Sequence, residues 1–179
     1  MPPLPRTALV TGVGRRRGIG AAIARGLAAD GFDLALSYSA SYDRRVHSEP
    51  SDVDELAEEL RSRGRGVELL HGDLADPAAP AQLTAAARSA LGPLGVLVMS
   101  HCESVDSSIL DTTVESFDRP YAVNVRASWL LLKAFAEQVP PLAEVPGAEG
   151  SGREGPSSPA AGGGAVIALT SDHTTHNLP

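Results

Sequence analysis

The sequence predicts an α/β fold built on a doubly wound, Rossmann-type parallel sheet. Three observations carry that prediction. Short apolar runs alternate with stretches of helical periodicity along the 179 residues. A glycine- and arginine-rich turn joins the first run to the first helix. Glycine follows the end of most helical stretches. Strands alternating with helices define βαβ units, and right-handed crossovers make their sheet parallel.

Thr7–Val10 reads as the first strand. Ile19–Asp30 is a helix closed by Gly31, with Ile19, Ile23 and Leu27 on one face at i, i+4, i+8. Gly26 lies beside that face and permits close packing on a sheet. Asp33–Tyr38 is the second strand, and Ala40–Pro50 a polar loop. Ser51 reads as an N-cap with Asp54 completing a capping-box pattern, and Val53, Leu56 and Leu60 follow at helical spacing up to Gly64. Val67–His71 is the third strand. Asp76-Pro77 opens a helix that runs to Leu91 and stops at Gly92. Val96–Met99 is the fourth strand, Tyr121–Val139 a long helix with Pro120 at its first turn, and Ala165–Thr170 the fifth strand. The Gly/Pro/Ser-rich stretch 145–164 reads as a flexible loop insertion within one domain of residues 1–179, because the strand after it still belongs to the sheet. The expected strand order is 3-2-1-4-5, the last strands and helices of the complete fold being absent. That order places the glycine-rich turn at the switch point, where such sheets bind ligands.

Composition narrows the function. A net charge of −7 argues against nucleic acid or an anionic membrane as partner. A single cysteine, Cys102, excludes an internal disulfide and fits a reducing compartment. The Met1 region lacks a secretory pattern, and no apolar run approaches the roughly 20 residues of a membrane span. The sequence is therefore read as cytoplasmic.

Residues 7–20, TALVTGVGRRRGIG, carry the chemistry. Glycines let a backbone turn tightly and approach a pyrophosphate, and the following helix N-terminus offers unpaired N–H groups and the positive end of its dipole. Arg15, Arg16 and Arg17 have two readings, a guanidinium contact to phosphate or a solvated basic turn. The end of the second strand, Leu36-Ser37-Tyr38-Ser39, carries no acid to hold the ribose hydroxyls of NAD. Together these favour NADP over NAD. Arg44 and Arg45 are assigned to the surface loop. His173 and His176 have no evident third ligand, so no metal site is expected.

The ordered set of motifs resembles the short-chain dehydrogenase/reductase family. Thr11-Gly12 with Gly18-Ile19-Gly20 is similar to its T-G-x3-G-x-G cofactor loop, with five residues here between Gly12 and Gly18. Asp73-Leu74 resembles the pair that meets the adenine ring. Residues 96–102, VLVMSHC, occupy the place of an L-V-N-N-A-G strand and match it poorly, with Ser100 taken as a cofactor contact and His101 and Cys102 as packing or backbone contact beside the cofactor path. Asn124, in YAVNVRASWLL, is similar to the mid-helix Asn of the catalytic tetrad, and Ser171, after VIALT, to the catalytic Ser. Other readings stand beside these: Asp73 as a turn carboxylate, Asn124 as a helix-interior amide, Ser171 as a strand terminus.

The resemblance implies NADP(H)-dependent hydride transfer on a small carbonyl or secondary alcohol, of the 3-ketoacyl-reductase type. In that chemistry a Tyr acts as acid/base and a Lys four residues later lowers its pKa from about 10. No Tyr-x3-Lys exists here, because the only lysine is Lys133 and residue 129 is Trp. The sequence reads as stopping before that pair, and the isolated chain is expected to be inactive. The alternatives are a non-catalytic dinucleotide-binding module, or a truncated product without function. In the family the long helix packs across a dimer interface. Its run Trp129–Leu132 is apolar, so association through helix 121–139 is expected.

Overall fold

The computed structural model describes residues 4–47, 51–104, 107–139 and 163–170. Five parallel strands form one sheet: β1 (Thr7–Thr11), β2 (Asp33–Tyr38), β3 (Val67–His71), β4 (Val96–Met99) and β5 (Ala165–Ala168). Their order is β3-β2-β1-β4-β5, as the sequence predicts. Leu9 on β1 aligns with Ala35 on β2 and with Leu97 on β4, so the central strand is paired on both sides.

Alternation along the strands divides the core into two layers. Ala8, Val10, Leu34, Leu36, Val96 and Val98 face helices α1 (Ile19–Ala29) and α3 (Val53–Ser62). Leu9, Ala35, Leu97 and Met99 face α4 (Ala79–Leu91) and α6 (Ala127–Gln138), with Leu131 and Phe135 filling that side. Among the described residues no helix is long and apolar enough to cross a membrane.

Four local readings are corrected. The buried side of α1 is Gly20, Ala21, Ala24 and Ala28, so small residues rather than Ile19 bring this helix onto the sheet. Ile19 is 66% exposed, and Gly26 faces open space. The N-cap of α3 is Asp52, and the Ser51 hydroxyl donates instead to the Gly14 carbonyl at 2.7 Å. The described part of the polar loop after β2 is helical, with α2 (Ala40–Tyr42) continuing into a π-helical stretch, Asp43–His47. Finally, an unforeseen helix α5 (Val114–Pro120) opens on a Thr113/Ser116 capping box and precedes the long helix. Pro120 cannot donate to the carbonyl four residues back, and its ring crowds that carbonyl. The helix widens into a π-helical turn, Tyr121–Arg126, directly after it. Loop positions 145–162 lie outside the described residues.

Candidate functional site

A cleft of about 250 Å³ opens at the carboxyl ends of β1, β2, β3 and β4. This is where an open α/β sheet reverses its strand order, and so where ligands enter. One wall is the glycine-rich turn. Gly12 has φ +76°, a conformation that side chains disfavour, and an added Cβ would sit 2.5 Å from the Ser100 carbonyl oxygen. A Cβ on Gly20 would lie 2.8 Å from the Gly12 carbonyl oxygen. The turn and the start of α1 therefore interlock through bare backbone. Gly18 is the N-cap of α1, no side chain caps that terminus, and no acid occupies the first turn. Its leading N–H groups and the positive end of its dipole suit an anion.

Of the predicted site residues, Gly12, Arg15, Gly18, Ile19, Gly20, Asp73, Leu74 and Ser100 converge on this cleft. Thr11 does not line it. Its buried hydroxyl lies 2.7 Å from Nδ1 of His101 and 3.3 Å from the Val98 carbonyl oxygen, joining β1 to β4. The three arginines diverge. Arg15 lines the cleft. Arg16 turns to α3, where its guanidinium meets Glu55 at 2.6 Å and its backbone N–H donates to Asp52 at 2.6 Å. Arg17 is exposed away from the cleft. Ser171 lies outside the described residues.

Asn124 sits in the π-helical turn, and both polar atoms of its amide bond to the backbone of Glu103. Its Oδ1 accepts the Glu103 N–H at 2.8 Å, and its Nδ2 donates to the Glu103 carbonyl at 2.9 Å. The opposite wall of the cleft is ionic. Arg119 on α5 donates from Nη2 to both oxygens of Asp73, at 3.1 and 3.0 Å, and from Nε to Glu103 at 3.0 Å. Burial opposes the charge on Asp73, but the Ala75 N–H and the Arg119 guanidinium outweigh it and hold the carboxyl below its usual range.

Asp43, Glu103 and Arg119 line the cleft and escaped the sequence reading, while His101 and Cys102, read as packing beside the cofactor path, line it too. Asp43, in the stretch taken for a loop, is 4% exposed, lies against Gly14 and approaches Arg15 Nε at 4.0 Å. Arg45, assigned to the surface loop, pairs with the buried Glu103. His101 bridges Thr11 and Ser128, at 2.7 and 3.2 Å, and burial lowers its pKa to about 4. The Cys102 thiol is raised, by burial first and the Glu103 charge second. No sequence signal marked Asp43 or Glu103, because only the fold brings them to the switch point. Among the described residues no cluster of His, Cys, Asp and Glu has the makings of a metal site.

Fold and cleft together define an α/β protein of the doubly wound class, with its cleft at the switch point of the sheet. Residues 12–146 match the family described as enoyl-(acyl carrier protein) reductase. A short-chain dehydrogenase/reductase of Hericium erinaceus is 35% identical over 74% of this chain and 50% of its own length. A chloroplastic NADPH-dependent aldehyde reductase-like protein of Arabidopsis thaliana is 33% identical over 99% of this chain and 61% of its own. The crystal structure of a short-chain dehydrogenase from Burkholderia cenocepacia, in complex with NADP, superposes with a TM-score of 0.65. It is 34% identical and covers 75% of this chain and 51% of that one. The chain belongs to the short-chain dehydrogenase/reductase family, a family of oxidoreductases. It spans about half to three-fifths of the length of these relatives.

Proposed function

We propose that this chain is the NADP(H)-binding portion of an oxidoreductase that moves a hydride between the nicotinamide and a small carbonyl or secondary alcohol, of the 3-ketoacyl-reductase type. The observation that carries the reading is the wall of bare backbone at Gly12, Gly18 and Gly20, leading into an uncapped α1. A pyrophosphate needs close approach to this backbone, and a Cβ at Gly12 or Gly20 would collide with the Ser100 or Gly12 carbonyl and push the turn out of place. Arg15 supplies the cation beside the end of β2, where Ser37, Tyr38 and Ser39 line the cleft. That supports NADP(H) over NAD(H). Asp73 and Leu74 stand for the adenine end, and Ser171 and Asn124 for the polar groups at the reacting oxygen.

The 179 residues contain no Tyr-x3-Lys, so the chain by itself binds the cofactor without turning over substrate. The test is thermal unfolding with and without millimolar NADP+ or NAD+. A cooperative transition raised more by NADP+ supports the reading, since ligand at a hundredfold over Kd adds about 2.7 kcal/mol. A transition that neither cofactor moves overturns it.

A second reading, a non-catalytic dinucleotide module, is favoured by one observation. Both polar atoms of the Asn124 amide are committed to the Glu103 backbone rather than to the cleft. Binding without turnover, together with a discrete complex with a second protein, would select it. Either reading is compatible with association through helix 121–139. Tyr121, Val125 and Trp129 there are 60%, 52% and 60% exposed.

A further inference from the structure

Glu103 is 3% exposed, yet its carboxyl group is paired with two guanidinium groups. Burying a carboxylate costs several kcal/mol unless partners restore what water supplied. Here the partners come from three separate elements. Arg45 reaches Oε1 from the π-helical stretch after β2, and Arg119 reaches Oε2 from α5 at 3.0 Å. Asn124 holds the backbone N–H and carbonyl of the same residue. An apolar residue would fill this position at lower cost, so the charge serves geometry.

The geometry follows from the guanidinium of Arg119. It is planar and rigid, with Nε fixed on Glu103 and Nη2 on both oxygens of Asp73. Where Glu103 points therefore sets where Asp73 points. On the other side, Arg45 lies 5.6 Å from the ring centroid of Tyr42, which lines the cleft. One buried carboxylate thus ties the segment after β2, the end of β3 and α5 around a single cavity.

We propose that Glu103 is a positioning residue for the adenosine end of the cofactor. It acts through Arg119 on Asp73 and through Arg45 on the segment 40–47, and it touches no reacting atom. This role rests on the cofactor reading given above.

The test uses the full chain, with NADP+ and adenosine 2′,5′-bisphosphate as probes in calorimetric titration. Glu103→Gln is expected to weaken both by about tenfold, the scale of one lost charge-assisted hydrogen bond. Asp73→Asn is expected to weaken them similarly, and the double variant no more than the worse single one, because both act on one contact. Affinities within twofold of wild type, or losses that multiply in the double variant, overturn the proposal. Arg119→Lys keeps the charge and loses the fork, and it takes the place of Glu103→Gln in the same cycle if that variant does not fold.

A ligand-free measurement separates this role from the cofactor reading. Amide exchange over 40–47 and 73–76 is expected to speed up in Glu103→Gln, whether or not a dinucleotide binds. Unchanged exchange there overturns the positioning role alone. Failure of the wild-type chain to bind either probe overturns the cofactor reading and the adenosine role with it.

Discussion

The two walls of the cleft are built by opposite means. On the β1–α1 side the wall exists because side chains are missing: Gly12 and Gly20 bring backbone within van der Waals reach of backbone. On the β3–α5 side it exists because long charged side chains meet, with Arg119 forked between Asp73 and Glu103. The glycine wall has no adjustable part. A methyl group spoils it, while salt and mild acid leave it alone. The ionic wall tolerates substitution of one member at a graded cost, and its strength depends on protonation.

The sharpest way to break the comparison is Gly12→Ala. A side chain in the left-handed region costs about 1–2 kcal/mol. The contact at 2.5 Å with the Ser100 carbonyl adds to it. Urea unfolding should show a loss of at least about 2 kcal/mol, with cofactor binding abolished. Retained stability and binding would show that this wall yields after all.

Next in size is acid. His101 is partly buried at the cleft, and desolvation lowers its pKa to about 4 from an ordinary 6.5. The unfolded chain therefore binds the extra proton between those values. Stability is full above about pH 6.5 and falls as pH drops toward 4, by at most about 3 kcal/mol. Urea midpoints at pH 7 and pH 4.5 measure the loss, and His101→Gln should flatten it. The Asp73 contribution runs separately, since its pKa is held down: it persists through that window and is lost only as pH falls below the ordinary carboxylate range. A steep loss confined to pH below 4 would assign acid sensitivity to the ionic wall instead.

Arg15→Ala should weaken NADP+ by about tenfold, a charged hydrogen bond's worth, and leave NAD+ nearly unchanged. Equal losses for the two cofactors would place Arg15 on the shared pyrophosphate. The smallest effect sharpens the rule for glycine. Gly26 lies mid-helix on α1 with nothing within 4 Å of a Cβ, so Gly26→Ala should stabilise by about 0.5–1 kcal/mol without touching binding. Thermal unfolding of the two alanine variants, Gly12→Ala and Gly26→Ala, gives opposite signs if the wall and not glycine content matters.

Much of this molecule is legible in its sequence. Short apolar runs and helical spacing marked five strands, and their alternation with helices implied the doubly wound order, because βαβ crossovers are right-handed and make the sheet parallel. Glycine spacing located one wall of the cleft, because tight turns and close backbone approach demand that residue. What escaped was what depends on distance through space. Helix α5 was missed because Pro120 reads as a helix start, while the structure passes through it into a π-helical turn. The parting of Arg15 from Arg16 is invisible in a run of identical residues, and Glu55 on α3 decides it.

Strand and helix identity and the glycine wall were legible in the sequence alone, since these follow from local backbone preference and hydrophobic period, and the strand order followed from the doubly wound topology that alternating βαβ units imply. Only the tertiary structure decided the ionic wall. Arg45, Asp73, Glu103 and Arg119 come from four different segments. Charges so far apart in the chain find one another only after the apolar layers have packed, because a buried carboxylate is stable only where its partners are already held.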